Sequence, residues 1–176
     1  MGSIRTSRVR AVVLALAALL LAAVPVVGGA GSASAAAFTN LQIYDKWHPL
    51  CLDGDIWSAD RDPQTALLWA CNLERQQQWT AILAHDDVWI IQNQRSGKCL
   101  DADINTWGQN GGRVQLWSCN LAPQQQWRIT GSGYYKTWRA ANGKCLDGDR
   151  WNLQPGAKVQ LWDCNGSDQQ AWHAAT

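Results

Sequence analysis

Beyond residue 36, apolar and polar side chains alternate in short runs, and no segment carries the i, i+3, i+4 spacing of an amphipathic helix. In the middle of the chain, residues 88–92, 98–103, 113–118 and 126–130 read as four short strands. Turn formers separate them: Arg95-Ser96-Gly97, Gly108-Gln109-Asn110-Gly111-Gly112 and Leu121-Ala122-Pro123. Residues 41–44 and 134–138 open two further sets of the same kind, so the pattern predicts an all-β fold of twelve strands. Alternation also assigns faces. Val114 and Leu116 share one side of their strand while Gln115 and Trp117 share the other; Leu100 and Ala102 likewise oppose Asp101 and Asp103. The apolar set is the expected core, which leaves a carboxylate, an amide and an indole on the opposite side.

The alternation is itself repeated. Cys-Leu-Asp stands at 51–53, 99–101 and 145–147, Leu-Trp recurs two or three residues before a second cysteine, and each copy closes on Gln-Gln-x-Trp ending at Trp79, Trp127 and Trp172. Cys51 to Cys99 is 48 residues and Cys99 to Cys145 is 46, which delimits repeats of about 38–84, 85–133 and 134–176. A four-stranded unit of this size cannot bury an adequate core by itself, whereas three units around a shared axis can.

The first 35 residues do not belong to this pattern. Arg5, Arg8 and Arg10 precede an apolar run from Ala11 to Val27, and Ala33-Ser34-Ala35 forms a small-residue cleavage signal. Residues 1–35 are therefore expected to be a secretory signal peptide. A spanning helix is disfavoured by Pro25 and by the Gly-, Ala- and Ser-rich stretch after it, and no later stretch reaches membrane-span length. Cleavage leaves residues 36–176, one domain in size, and removes three arginines from the 15 Lys and Arg set against 14 acids. The mature protein is then mildly acidic without a basic run, so no electrostatic footprint for nucleic acid is present. A secreted, extracellular protein is expected.

All six cysteines lie in the mature part, two per repeat, at spacings of 20, 20 and 19. In an exported chain an even count argues for disulfides, and the repeat selects Cys51–Cys71, Cys99–Cys119 and Cys145–Cys164 from the possible pairings. Zinc is a poor alternative, since no Cys-x-x-Cys exists and His48, His85 and His173 do not recur at equivalent places. Asp-x-Asp at 53/55, 101/103 and 147/149 lacks the later acidic ligands of a calcium loop. As a glycosidase pair it would put both carboxylates on one strand rather than on either side of a substrate. No metal, cofactor or catalytic residue is expected.

With Cys-Leu-Asp, the Leu-Trp before the second cysteine and Gln-x-Trp each present three times in register, the chain resembles the ricin B-type lectins over about residues 38–176. The resemblance implies a β-trefoil of twelve strands with pseudo-threefold symmetry and up to three shallow sugar sites. It assigns to sugar binding the Asp of Cys-Leu-Asp, the aromatic before the second cysteine, and the polar residues after that cysteine and before Gln-x-Trp. The Trp of Gln-x-Trp goes to the core, with its Gln mostly supporting the site. Carried onto this chain, the middle site is Asp101, Gln115, Trp117, Asn120, Gln124 and Gln125, and the third is Asp147, Gln160, Trp162, Asn165, Gln169 and Gln170. The first is Asp53, Trp69, Asn72, Gln76 and Gln77, with Leu67 where the other repeats have Gln. The family often has Asn before Gln-x-Trp, where this chain has Gln in every copy.

The residue chemistry agrees with that assignment. A sugar presents hydroxyls that both donate and accept, and a patch of aliphatic C–H. An acceptor-only carboxylate, a donor–acceptor amide and a flat indole answer these needs. Twelve tryptophans exceed what one core requires, and Trp57, Trp107 and Trp151 stand four to six residues beyond each Asp of Cys-Leu-Asp as candidates for a second wall. The expectation is a monomeric, non-enzymatic lectin that binds galactose-type or xylan-like plant glycans at up to three sites. The alternatives are a trefoil protein acting through protein contacts, as an inhibitor or accessory subunit, and a glycosidase on the same frame.

Overall fold

Twelve strands, four to a repeat, build the computed structural model, which describes residues 36–176; the expected signal peptide at 1–35 lies outside the described residues. The first lobe holds β1 (Ala37–Asp45), β2 (Leu50–Gly54), β3 (Gln64–Ala70) and β4 (Trp79–His85). The second holds β5 (Val88–Asn93), β6 (Cys99–Ala102), β7 (Gly112–Trp117) and β8 (Trp127–Thr130). The third holds β9 (Lys136–Ala140), β10 (Cys145–Gly148), β11 (Ala157–Trp162) and β12 (Ala171–Ala175).

Six of these close a ring. β1 pairs β4, β4 pairs β5, β5 pairs β8, β8 pairs β9, β9 pairs β12, and β12 returns to β1. The other six form the hairpins β2–β3, β6–β7 and β10–β11, whose second strands meet pairwise as β3–β7, β7–β11 and β11–β3. This barrel capped by a triangle of hairpins is the β-trefoil, and closing both rings leaves no long edge strand among the described residues to pair with another molecule.

The core sits inside the barrel and beneath the hairpins. Leu52, Leu100 and Leu146 of the three Cys-Leu-Asp segments are fully buried, as are Leu68, Leu116 and Leu161 from the facing strands and Trp79, Trp127 and Trp172 of Gln-x-Trp. A buried indole needs a partner for its N–H. Each finds the same one, the carbonyl of the leucine in its own lobe: Trp79 Nε1 donates to Leu52 O at 3.0 Å, Trp127 to Leu100 O at 2.9 Å and Trp172 to Leu146 O at 2.8 Å. That bond fixes the height of β2, β6 and β10, and with them the aspartates that follow. The disulfides pair as the repeat predicts and tie the start of each hairpin to the chain just past its end.

Two departures from threefold symmetry lie in the barrel strands and the turns that follow them. The third lobe's first strand starts at Lys136, two residues later than the pattern of 134–138 predicts, and Tyr134, ahead of it, stacks on His173 at 3.5 Å between ring centroids. The first lobe replaces a neutral turn by a buried ion pair. His48 Nδ1 lies 2.8 and 2.9 Å from the two Asp45 carboxylate oxygens, and its Nε2 lies 3.1 Å from the backbone oxygen of Asp149 in the third lobe. The second lobe has Asn93 at the position of Asp45, bonding its own turn through Ser96 N–H at 3.2 Å.

Candidate functional site

The three aspartates of Cys-Leu-Asp lie on the site side of their strands but not at the surface. Asp53, Asp101 and Asp147 are buried to within a few per cent, each at the floor of a recess. What makes this tolerable is a pair of side-chain amides. Gln125 Nε2 donates to one Asp101 oxygen and Gln115 Nε2 to the other, both at 3.1 Å. In the third lobe Gln170 and Gln160 do the same for Asp147, at 2.9 and 3.0 Å. The pairing follows from register, since Asp101 faces Gln115 across β6–β7 and Asp147 faces Gln160 across β10–β11. Asp53 faces Leu67, so it keeps only Gln77, at 2.8 Å.

Gln77, Gln125 and Gln170 are at most 1% exposed. Each also donates to a backbone carbonyl (Ala70, Ser118 or Asp163) and accepts the N–H of the asparagine after the second cysteine (Asn72, Asn120 or Asn165) at 2.9 Å. They stand behind the aspartate as positioning residues rather than in front of it. The short 3-10 turns Arg75–Gln77, Pro123–Gln125 and Asp168–Gln170 deliver them there.

Burial holds all three carboxyl groups above the ordinary aspartate range, against the opposing pull of the amide donors. Neighbouring carboxylates raise them further through charge: Asp55 for Asp53, Asp103 and Asp62 for Asp101, and Asp45 and Asp149 for Asp147. Asp55, Asp103 and Asp149 have a structural task of their own. Each accepts a backbone N–H two residues on, from Trp57, Asn105 or Trp151, and so holds the loop after β2, β6 or β10 in an Asx turn.

Above the floor stand Trp69, Trp117 and Trp162, between 36% and 44% exposed. Each projects from the end of a hairpin strand opposite the first cysteine of its lobe. The neighbouring lobe braces two of them. Gly156 (φ +94°) brings third-lobe backbone so close that a Cβ there would stand 3.7 Å from Trp69, and Gly111 (φ +82°) of the second lobe does likewise 4.0 Å from Trp162. Both positions favour glycine for the left-handed backbone, since a Cβ there would make only ordinary contact with the indole. Pro63 of the first lobe borders the middle recess beside Trp117.

The recesses have volumes of about 250 Å³ in the first lobe, 360 Å³ in the middle and 340 Å³ in the third. Each combines a carboxylate floor, an indole side and the glutamine before Gln-x-Trp, namely Gln76, Gln124 or Gln169. Among the described residues no group of three or more His, Cys, Asp and Glu side chains is placed to hold a metal ion. The arrangement offers hydrogen-bond acceptors, amide donors and a stacking surface.

The family profile described as "Ricin-type beta-trefoil lectin domain" matches residues 87–176, and the related "Ricin-type beta-trefoil lectin domain-like" profile matches residues 39–117. The chain belongs to the ricin-type β-trefoil lectin family. Domains of this family are carbohydrate-binding modules, typically without enzymatic activity, so a carbohydrate-binding role follows for the lectin.

No curated protein sequence matches the chain significantly. Among solved structures it is similar to the designed threefold-symmetric protein ThreeFoil, with TM-score 0.73, 25% identity, and coverage of 77% of this chain and 97% of that one. It is similar also to an exo-β-1,3-galactanase from Clostridium thermocellum, with TM-score 0.72, 25% identity, and coverage of 78% of this chain and 30% of the enzyme. The Rhizoctonia solani agglutinin shares the fold at 16% identity, with TM-score 0.67 and coverage of 78% and 94%.

Within the lectin, the sequence-derived site residues fall into two layers. Asp53, Trp69, Asn72 and Gln76 line the first recess, Asp101, Gln115, Trp117 and Gln124 the middle one, and Asp147, Gln160, Trp162, Asn165 and Gln169 the third. Asn120 does not line its recess, and Gln77, Gln125 and Gln170 form the hidden layer behind the aspartates. Ile56, Ile104 and Asn105 line the recesses without having been read from the sequence, and so do Pro63, Arg113 and Arg150. Pro63 comes from another lobe, and neither arginine recurs at its equivalent positions, so repetition gave no signal for these last three. The expected second wall is present in two lobes only. Trp57 and Trp151 flank their recesses, whereas Trp107 packs against the core and Asn105 occupies the matching place in the middle lobe.

Proposed function

We propose that the protein is a secreted, monomeric, non-enzymatic lectin that binds galactose-type or xylan-like plant glycans without covalent chemistry, at up to three sites. The observation that carries this reading is the threefold recurrence of a buried carboxylate beneath an indole edge, each carboxylate already oriented by an amide. Because Gln77, Gln125 and Gln170 hold the aspartates in place beforehand, a sugar hydroxyl donating to them need not order the site at the moment of binding. Hydrogen bonds to a charged acceptor are the stronger kind, and stacking of a sugar C–H face on Trp69, Trp117 or Trp162 supplies the apolar part. Single sites of this sort bind in roughly the millimolar to micromolar range, about −4 to −8 kcal/mol. Three on one rigid body engage a polymer together and gain from it. The 25% identity to the galactanase supports galactose-containing polymers as the first to be tried.

A glycan array and polysaccharide pull-down on the purified mature domain test the reading. Binding is expected to at least one galactan or xylan, to weaken in Asp101→Ala and Trp117→Ala, and to proceed without release of reducing sugar. Folded variants that bind as wild type would remove the site assignment, and release of reducing sugar would replace the lectin by a glycosidase.

A further inference from the structure

Two tryptophans in this protein have no structural employment. Trp57 is 84% exposed and Trp151 is 82% exposed, roughly twice the exposure of the three recess-side indoles. Neither belongs to the core. Yet both are held rather than loose, because the backbone N–H of each is bonded to the aspartate two residues earlier, at 3.2 Å for Trp57 and 3.0 Å for Trp151. In the third lobe the Arg150 guanidinium lies 4.5 Å from the centre of the Trp151 ring and braces one of its faces. A large apolar surface presented to water on a fixed backbone marks a place where something else is meant to lie.

Its position says what. Trp57 lines the same recess as Trp69, and Trp151 the same recess as Trp162. The hairpin register puts Trp69 level with Cys51, with Asp53 two residues further along β2 and the turn bearing Trp57 beyond Asp55. Along a strand the four residues from Cys51 to Asp55 span ~13 Å. The third lobe repeats this order with Trp162 opposite Cys145, then Asp147, then Trp151 after Asp149. The two indoles thus stand at opposite ends of a groove whose floor carboxylate lies between them, longer than one pyranose ring.

Resting on the carbohydrate-binding reading above, we infer that the first and third recesses are two-platform grooves for at least two consecutive sugar units of a linear glycan, with Trp57 and Trp151 forming a second subsite. The middle recess is a one-platform site for a single unit. There Asn105 occupies the matching place on the same Asx turn, its N–H bonded to Asp103 at 3.0 Å, so the lobes share that turn and differ in the side chain it carries. The lectin therefore carries two chain-gripping sites and one of a different kind.

The shared turn allows a reciprocal exchange. Wild type, Trp57→Asn/Trp151→Asn and Asn105→Trp are compared by titration calorimetry against two series, galactose through β-1,3-galactotetraose and xylose through xylotetraose. In the series that wild type binds, the double variant should lose about two- to tenfold in affinity for the tetraose, as one aromatic stack implies, with monosaccharide affinity unchanged. Asn105→Trp should add a third chain-length-sensitive site. Since the exchanged residues are exposed, near-UV circular dichroism is expected to show all variants folded. Equal loss for monomer and tetramer, or no loss for either, overturns the subsite while leaving the lectin reading intact. Wild type binding neither series overturns both.

Discussion

Replacing Gln125 by leucine tests the central device of the site, a carboxylate held in place by a buried amide. Leucine keeps the aliphatic bulk and loses the bond to Asp101 (3.1 Å), the bond to Ser118 O (3.1 Å) and the acceptor for Asn120 N–H (2.9 Å). Two of these are neutral bonds and one involves a charge, so the loss in folding stability should be about 3–5 kcal/mol. Gln77→Leu should cost more, since Leu67 offers Asp53 no second amide and the buried carboxylate would keep no side-chain donor. The pH dependence separates this account from simple repacking. Burial already raises Asp53 above the usual carboxylate range, and removing Gln77 raises it further. A folded-state value above the unfolded one means that the folded protein binds more protons. Wild type and variant both lose stability as pH rises above the ordinary aspartate pKa, so the variant's deficit grows only between the wild-type raised pKa and its own still higher one, and shrinks on acidification through that window. Urea unfolding of the oxidised protein, followed by tryptophan fluorescence at several pH values, gives both quantities. A Gln125→Leu loss below about 1 kcal/mol, less than one buried unsatisfied group costs, would refute the reasoning. So would a Gln77→Leu deficit that is no larger and does not vary with pH.

The same lobes supply three further expectations. Leu67→Gln should give Asp53 the second donor that Asp101 and Asp147 have from the same register position, bringing its pKa down in an NMR carboxyl titration and adding about 1 kcal/mol of stability; an unchanged titration would mean that the new amide does not reach it. Both nitrogens of His48 face acceptors, an arrangement that favours the doubly protonated ring: burial opposes the charge, but the Asp45 bond and charge outweigh it and lift the His48 pKa above the usual imidazole range. The stability it contributes is present below the ordinary histidine pKa and lost as pH rises through the raised one, so Tm should fall across that window in wild type; in Asp45→Asn, the residue the second lobe carries there, burial is left unopposed by the carboxylate and that fall should be absent or reversed. Removing one bridge in Cys99→Ser/Cys119→Ser should lower stability by about 3 kcal/mol in chemical denaturation, in keeping with a loop of 20 residues; no change in midpoint would show the bridge to be dispensable.

Repetition made the lobes legible. Cys99 and Cys119 could be paired, and Trp127 assigned inward, because each occurs three times at one spacing and three equivalent positions share one environment. Alternation correctly set Asp101 opposite Leu100, but it left the carboxylate open to water, when an amide 24 residues further on roofs it from behind. Side-chain period describes one strand, and that contact joins a strand to a turn. Trp107 shows a related limit: counted along the chain it resembles Trp57 and Trp151, yet it falls two residues past the Asx turn, which is enough to send it to the core. Where the lobes differ, as at Asp45 and His48 or at Tyr134, repetition is silent, and these are the places where the structure departs from threefold symmetry.

The recesses also require one another. Asp62 of the first lobe accepts the Ser118 N–H and hydroxyl beside Trp117 and pairs with Lys98 at 2.9 Å. Asn110 of the second lobe bonds Asp163 beside Trp162, and Gly156 N–H of the third reaches Leu68 O beside Trp69 at 2.8 Å. Each hairpin loop thus clasps the platform strand of the next lobe, and the third clasp returns to the first. An isolated lobe would carry its own aspartate, glutamine and tryptophan and still lack the neighbour that steadies the indole. Three recesses at fixed separations on one body are then not an addition to the fold but a condition of it: the closure that completes each recess is what fixes all three relative to one another.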